Sequence, residues 1–208
     1  MKDEYHSIGS DATKMLKVEG SKFIALAHPV ELRTQAEEEL GRVRKKYFDA
    51  THNCFAYVLG SERKEFRTSD DGEPSGTAGV KILSAIRSKG LSDVLVVVTR
   101  YFGGTKLGVG GLGRAYFESA LQVLSSSNIV LKIVGVEIEI TFPYAYTNGV
   151  MSKLSQHNAR IIDAVYDDDV ALRLSIRKGV APAFIAELTE ITRGNLAVKY
   201  LSPLTQTK

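Results

Sequence analysis

The segment Arg100-Tyr-Phe-Gly-Gly-Thr-Lys-Leu-Gly-Val-Gly-Gly-Leu-Gly-Arg-Ala-Tyr116 holds the densest collection of groups suited to binding chemistry. Its glycines, Gly103, Gly104, Gly108, Gly110, Gly111 and Gly113, let the backbone approach a ligand closely. A helix starting there offers unpaired N–H groups and the positive end of its dipole. Arg100, Lys106 and Arg114 bracket the run with cations. The combination suits a phosphate, free or in a nucleic-acid backbone, and Tyr101 and Phe102 offer rings on which unpaired bases can stack. The plainer alternative is a tight glycine loop packed against a sheet, with the aromatic pair in the core. Gly108, Gly110 and Gly113 satisfy the dinucleotide pattern G-x-G-x-x-G. However, eight residues separate Gly108 from Thr99, and Ile133 stands where an acidic ribose ligand is needed. A P-loop is excluded, because Val109 occupies the position of its lysine.

A second segment runs Thr68-Ser-Asp-Asp-Gly-Glu-Pro-Ser-Gly-Thr-Ala-Gly79. Asp70, Asp71 and Glu73 place three carboxylates within four positions, a set able to ligate a hard cation such as Mg²⁺. Gly72, Pro74 and Gly76 equally describe a loop that needs no metal, with Ser75 or Thr77 capping the helix that follows. In that case the carboxylates have Arg100 or Arg114 as partners. His52 and Cys54, two apart on a predicted strand, share a face. They read either as a nucleophile and its base, with no third orienting group identifiable, or as a buried thiol beside a hydrogen-bonded histidine. His6, His28 and His157 lack metal-ligand spacing, so neither a metal nor a cofactor is expected.

The elements that must position these groups follow from periodicity. Residues 15–19 and 22–27 form a hairpin about Gly20 and Ser21, and a helix is expected over 31–47. Glu37, Glu38 and Glu39 precede Arg42, Arg44, Lys45 and Lys46, an order that complements the helix dipole and sets up a Glu38–Arg42 pair on a solvated face. Strands follow at 53–59 and 65–68, then a helix at 77–88 closed by Gly90, and a buried strand at 93–99. The glycine loop spans 103–113 and leads into a helix ending near 124. Ser125-Ser-Ser-Asn128 marks the boundary. Beyond it, residues 134–142 alternate apolar and polar, 146–157 recur at helical spacing, and strands at 159–166 and 170–176 flank the turn at Asp167-Asp-Asp169. A helix at 180–191, with Pro182 in its first turn and Gly194 as its stop, precedes a strand at 196–201. This β-α-β-β-α-β order is that of a ferredoxin-like sandwich. The fold class is therefore α+β, with domains at 1–132 and 133–208.

The chain has 208 residues, 44% apolar and 25% charged, which excludes a disordered, collagenous or disulfide-stapled class. One cysteine, an opening without an apolar stretch, and apolar runs too short for a bilayer lead us to expect a cytoplasmic protein with no membrane span. The net charge of +3 lies wholly in residues 1–132, which hold 19 basic and 16 acidic side chains; the remainder is balanced. That excess points to an anionic partner only faintly.

Taken together, Gly20-Ser-Lys-Phe-Ile24, Asp49-Ala-Thr-His-Asn-Cys54, the segment from Ser69 to Gly79 and that from Arg100 to Tyr116 resemble the YigZ/IMPACT family. Gly20 is a departure, standing where relatives often carry a basic residue. The resemblance implies a first domain like domain IV of elongation factor G, of ribosomal-protein-like β-α fold, and a ferredoxin-like second domain. It also implies a translation-associated regulatory role, and with the basic excess and the glycine loop of the first domain we expect a non-enzymatic protein that binds RNA, the ribosome or a ribosome-bound partner through that domain. Alternatives are a pure protein-interaction module and a phosphate-ligand enzyme of the GHMP-kinase fold group, the only reading in which Mg²⁺ has a place. Gly111-Leu-Gly113 echoes that group's phosphate loop, but Arg114 and Ala115 replace its serines. Composition does not determine the oligomeric state.

Overall fold

The structure is a computed structural model that describes residues 3–207; Met1, Lys2 and the expectation about the chain's first residues lie partly outside it, as does Lys208. The chain forms two compact units, Tyr5–Leu131 and Lys132–Lys208 with Met1–Glu4. It is a mixed α+β protein with two sheets.

In the first unit, β2 (Ala12–Val18), β3 (Ser21–Pro29), β4 (His52–Leu59), β5 (Glu65–Ser69) and β6 (Val94–Tyr101) form one sheet in the order β2-β3-β6-β4-β5. Every neighbouring pair is antiparallel. The central strands read as unbroken apolar runs because both faces are covered. Phe23, Ala25, Cys54, Ala56, Val96 and Val98 pack beneath α2 (Gly79–Ser88) and α3 (Gly108–Ser126). Their neighbours Ile24, Leu26, Phe55, Tyr57, Leu95 and Val97 pack on the other face against Ala36, Leu40 and Val43 of α1 (Arg33–Lys46). Successive residues of one strand thus feed different cores.

Three details differ from the sequence expectation. Glu4–Ile8 is a strand, β1, that short polar alternation concealed. In α1, Arg42 pairs with Glu39 rather than Glu38. Helix α3 begins at Gly108, not after Gly113, so Gly108, Gly110, Gly111 and Gly113 belong to its first two turns. Four glycines in six positions, each costing about 1 kcal/mol relative to alanine in a helix, hid that start.

The second unit has the sheet order β10-β7-β9-β8, all antiparallel, built from β7 (Ile129–Pro143), β8 (Arg160–Tyr166), β9 (Asp169–Arg177) and β10 (Ala197–Thr207). Two helices, α4 (Thr147–Gln156) and α5 (Ala181–Ile191), cover one face. Their Val150, Leu154, Phe184 and Leu188 pack on Ile138, Ile140, Leu172 and Leu174. This is the ferredoxin-like arrangement, with β7 starting five residues earlier than its alternating pattern. No helix among the described residues is long and apolar enough to cross a membrane.

Candidate functional site

The acidic loop and the glycine segment meet through one buried carboxylate. Glu73, 8% exposed, accepts hydrogen bonds from Arg100 Nη1 at 2.6 Å and from the Tyr116 hydroxyl at 2.8 Å. Arg100 is 5% exposed at the end of β6, its guanidinium lying between the rings of Phe23 and Phe102 at 5.5 and 5.6 Å. Its Nη2 donates to Ser21 Oγ at 3.3 Å. The expectation that Arg100 brackets the loop as an available cation is therefore corrected: its charge is sealed in and neutralised by Glu73.

The other carboxylates are also occupied. One oxygen of Asp70 accepts from the N–H groups of Ala78 and Gly79, and the other from Gly76 N–H, at 2.8 to 3.0 Å. Asp70 thereby supplies the cap of α2 that we had expected from Ser75 or Thr77. Thr77 instead donates its hydroxyl to Pro74 O at 2.6 Å. Burial pushes the Asp70 carboxyl up, and the three N–H donors outweigh it, leaving the group below its ordinary value. Asp71 accepts from Asn53 N–H at 2.7 Å and from Arg44 at 3.3 Å. Three carboxylates aimed at three different donor sets do not present a common oxygen cage, so the residues do not fit a Mg²⁺ ion.

His52 and Cys54 lie beneath this loop. The carbonyl of Asp71 can only accept, so the 2.7 Å contact requires His52 Nδ1 to carry the donated proton. His52 Nε2 stands 4.0 Å from Glu73 Oε1. Cys54 is fully buried and donates to Asp70 O at 3.0 Å. Burial pushes its thiol up to about 12, the opposite of what a nucleophile needs. The Cys–His dyad is replaced by a hydrogen-bonded support for the loop.

The glycines divide by what surrounds them. A Cβ on Gly103 would lie 1.9 Å from the carbonyl carbon of Gly20, and one on Gly20 would lie 2.8 Å from Gly103 O. The hairpin turn and the loop after β6 thus touch backbone to backbone, which accounts for glycine at 20. Gly113 lets the stem of Lys81 cross α3, at 3.1 Å from where a Cβ would sit. Gly104 and Gly108 take positive φ values of 90° and 68° and are exposed. Gly110 meets nothing within 4 Å.

Between α2 and α3 lies a cavity of about 420 Å³ whose lining includes Gly76, Lys81, Ser84, Gly110, Gly113 and Arg114. It joins the end of the acidic loop to the start of α3, and its described lining contains two cations and no carboxylate. Lys106 is exposed on the preceding loop, and no side chain caps α3. Arg114 also lines a second cavity of about 360 Å³ on the other side of α3, facing Leu16 and Val18 of β2. Sequence reasoning missed Lys81 and Ser84. Their signal was helical spacing of three on an exposed α2 face, which gains meaning only once Gly113 is seen beneath. Tyr101 is half-buried and donates its hydroxyl to Asp49 at 2.8 Å, whereas Phe102 is 48% exposed.

An antiparallel sheet under two helices, joined to a ferredoxin-like unit and carrying this glycine-started helix, defines a two-domain class of α+β protein. Residues 19–124 match the Impact N-terminal domain, and residues 140–195 match a domain of unknown function, DUF1949. IMPACT family member YvyE of Bacillus subtilis (strain 168) is 32% identical over 199 residues, covering 96% of this chain and 92% of that protein. Protein IMPACT of Bos taurus is 37% identical over 93 residues, covering 42% of this chain and 29% of its own length. A crystal structure described as that of an hypothetical protein superposes with a TM-score of 0.72 at 29% identity, covering 97% of this chain and 99% of the other. The chain belongs to the IMPACT family.

Proposed function

We propose that this chain is a non-enzymatic, translation-associated regulatory protein whose first unit binds RNA through its phosphate backbone at the start of α3. The translational setting comes from the family resemblance. The observation that carries the binding surface is the cavity between α2 and α3, where Lys81, Arg114 and the open backbone of Gly110 converge. None of Lys81, Lys106 and Arg114 has an ion-pair partner among the described residues, so each charge is available to a polyanion. The N–H groups of the first turn of α3 add donors, and the absence of a side chain at 110 leaves room for a phosphate to reach them. Arg100, which the sequence offered first, contributes only by holding Glu73 and with it the acidic loop.

The test is titration of labelled single-stranded RNA at several salt concentrations, with wild type and with Lys106→Ala/Arg114→Ala. Loss of two phosphate contacts lowers affinity and reduces the salt slope by about 1 to 2. Equal affinity and slope for the two proteins would remove the assigned surface.

A further inference from the structure

Away from that cavity, on the α1 side of the same sheet, lies a group of side chains that the surface assigned above does not use. The register of β2 on β3 sets Lys17 directly opposite Lys22, and that of β3 on β6 sets Lys22 opposite Tyr101. Side chains paired in this way project from one face, so the sheet ends in a row of Lys17, Lys22 and Tyr101. Lys22 Nζ lies 5.7 Å from the centre of the Tyr101 ring. Lys46, the last residue of α1, lies 5.3 Å from the ring of Tyr47, which packs on the same apolar cluster as Tyr101. The Tyr101 hydroxyl reaches Asp49, tying the row to the turn that carries Phe48.

Two features of this group oppose ordinary folding logic. Phe48 is 84% exposed, the most exposed large apolar side chain among the described residues. Like charges directly opposite on paired strands are destabilising, yet neither Lys17 nor Lys22 has a carboxylate partner among the described residues. Lys45 and Lys46 also lack one, and Met15, paired with Ile24 on this face, is 53% exposed. The result is a shelf of ammonium groups without carboxylate partners among the described residues, two of them over tyrosine rings, with an exposed aromatic ring at its edge. Ammonium groups act as point charges toward phosphate oxygens, and the cations named here without carboxylate partners are all lysines. Exposed aromatic rings among such cations give a stacking platform for unpaired bases.

We infer that Lys17, Lys22, Lys46, Tyr47 and Phe48 form a second nucleic-acid contact, which takes single-stranded RNA with a base stacked on Phe48 and phosphates on the lysines. The inference rests on the RNA reading above and deepens it: a ligand that also uses this shelf must be unpaired, because a duplex hides its base faces.

The experiment measures fluorescence anisotropy of a labelled oligouridylate and of a duplex of equal length, using the full chain at about 50 and 200 mM salt. Phe48 is exposed, so its substitution leaves the core intact. Phe48→Ala is expected to weaken single-strand binding about 5- to 100-fold and leave duplex binding unchanged, while Phe48→Trp restores it. Lys17→Ala/Lys22→Ala is expected to lower the salt slope on single strands by about 1.4. If Phe48→Ala binds like wild type while Lys106→Ala/Arg114→Ala loses affinity, the shelf is refuted and the α3 site stands. If wild type binds neither RNA, both fall. If a polyglutamate peptide binds instead and depends on Phe48, the shelf is a protein-docking surface and the inference is overturned.

Discussion

Removing Glu73 tests how the two motif segments are joined. The side chains of Glu73 and Arg100 are 3% and 6% exposed, so the pair is sealed from water. In Glu73→Ala the guanidinium keeps only Ser21 Oγ, at 3.3 Å, and the Tyr116 hydroxyl loses its acceptor at 2.8 Å. An uncompensated buried charge of this kind costs about 3–5 kcal/mol. For a chain of this size, that corresponds to a fall in Tm of roughly 6–20 °C. Replacing both partners, as in Glu73→Leu/Arg100→Met, removes the charge together with its counter-charge and should cost less than either single substitution. The assay is urea unfolding of the wild type, both single variants and the double variant, giving a coupling energy from the cycle. We expect the double variant to fall short of additivity by about 2 kcal/mol or more. A cost below about 1 kcal/mol for Glu73→Ala, or additive singles, would mean that water reaches the pair and that the loops are held by something else.

Four further outcomes follow from the same geometry. Arg177 donates to both oxygens of Asp3, at 2.7 and 2.9 Å, and holds its carboxyl at about 2. A carboxyl depressed on folding adds stability above its unfolded value near 4, and that stability is lost as pH falls toward the folded value. Acid unfolding of the second unit should therefore steepen between about pH 4 and 2, and Asp3→Asn should flatten it; superimposable profiles would count against the pair. Cys54, with its thiol pushed up to about 12, should resist iodoacetamide at pH 8 until denaturant is added, and labelling of the native chain at the rate of a free thiol would contradict its burial. Gly110→Ala meets nothing within 4 Å and should stabilise α3 by about 0.5–1 kcal/mol while lowering RNA affinity. Gly103→Ala, which would place a Cβ 1.9 Å from Gly20, should instead destabilise by about 3 kcal/mol. Thermal melts paired with RNA titration separate these two effects.

The second unit was legible because each element declared itself by period. Ile138, Ile140 and Phe142 alternate with polar neighbours, and Phe184 and Leu188 recur a helical turn apart. The first unit was legible in element order but not in its contacts. Helix α3 was read short because its glycines disguise a helical start, and β1 was missed because five residues carry too little pattern. The capping role of Asp70 is invisible locally, since the N–H groups it accepts lie six to nine residues downstream, across a loop that only the fold closes. Arg100 misled for a related reason: its position at the glycine run is a matter of sequence, while its burial depends on the strands on either side of β6. Lys17 opposite Lys22 is likewise a statement about register: a turn at Gly20 and Ser21 sets Glu19 opposite Lys22, whereas the turn falls at Glu19 and Gly20 and Val18 pairs with Ser21.

The conspicuous residues of the first unit separate into two sets with different physical duties. Ser21, Asp70, Asp71, Glu73, Arg100, Gly103 and Tyr116 spend their hydrogen bonds or their lack of a side chain on one another, and together they fasten the hairpin turn, the acidic loop and the end of β6. A ligand that competed for those groups would have to break buried interactions worth several kcal/mol, so they are poor candidates for contact and good candidates for support. Lys81, Lys106 and Arg114 have no ion-pair partner among the described residues, Gly110 faces open space, and Lys17 and Phe48 are exposed and likewise without such a partner. An exposed cation without a partner, or a helical glycine in open space, contributes little to the fold or weakens it. The support set ties the loops of the first unit to one another, and the second set is where an external anion meets the least competition from within.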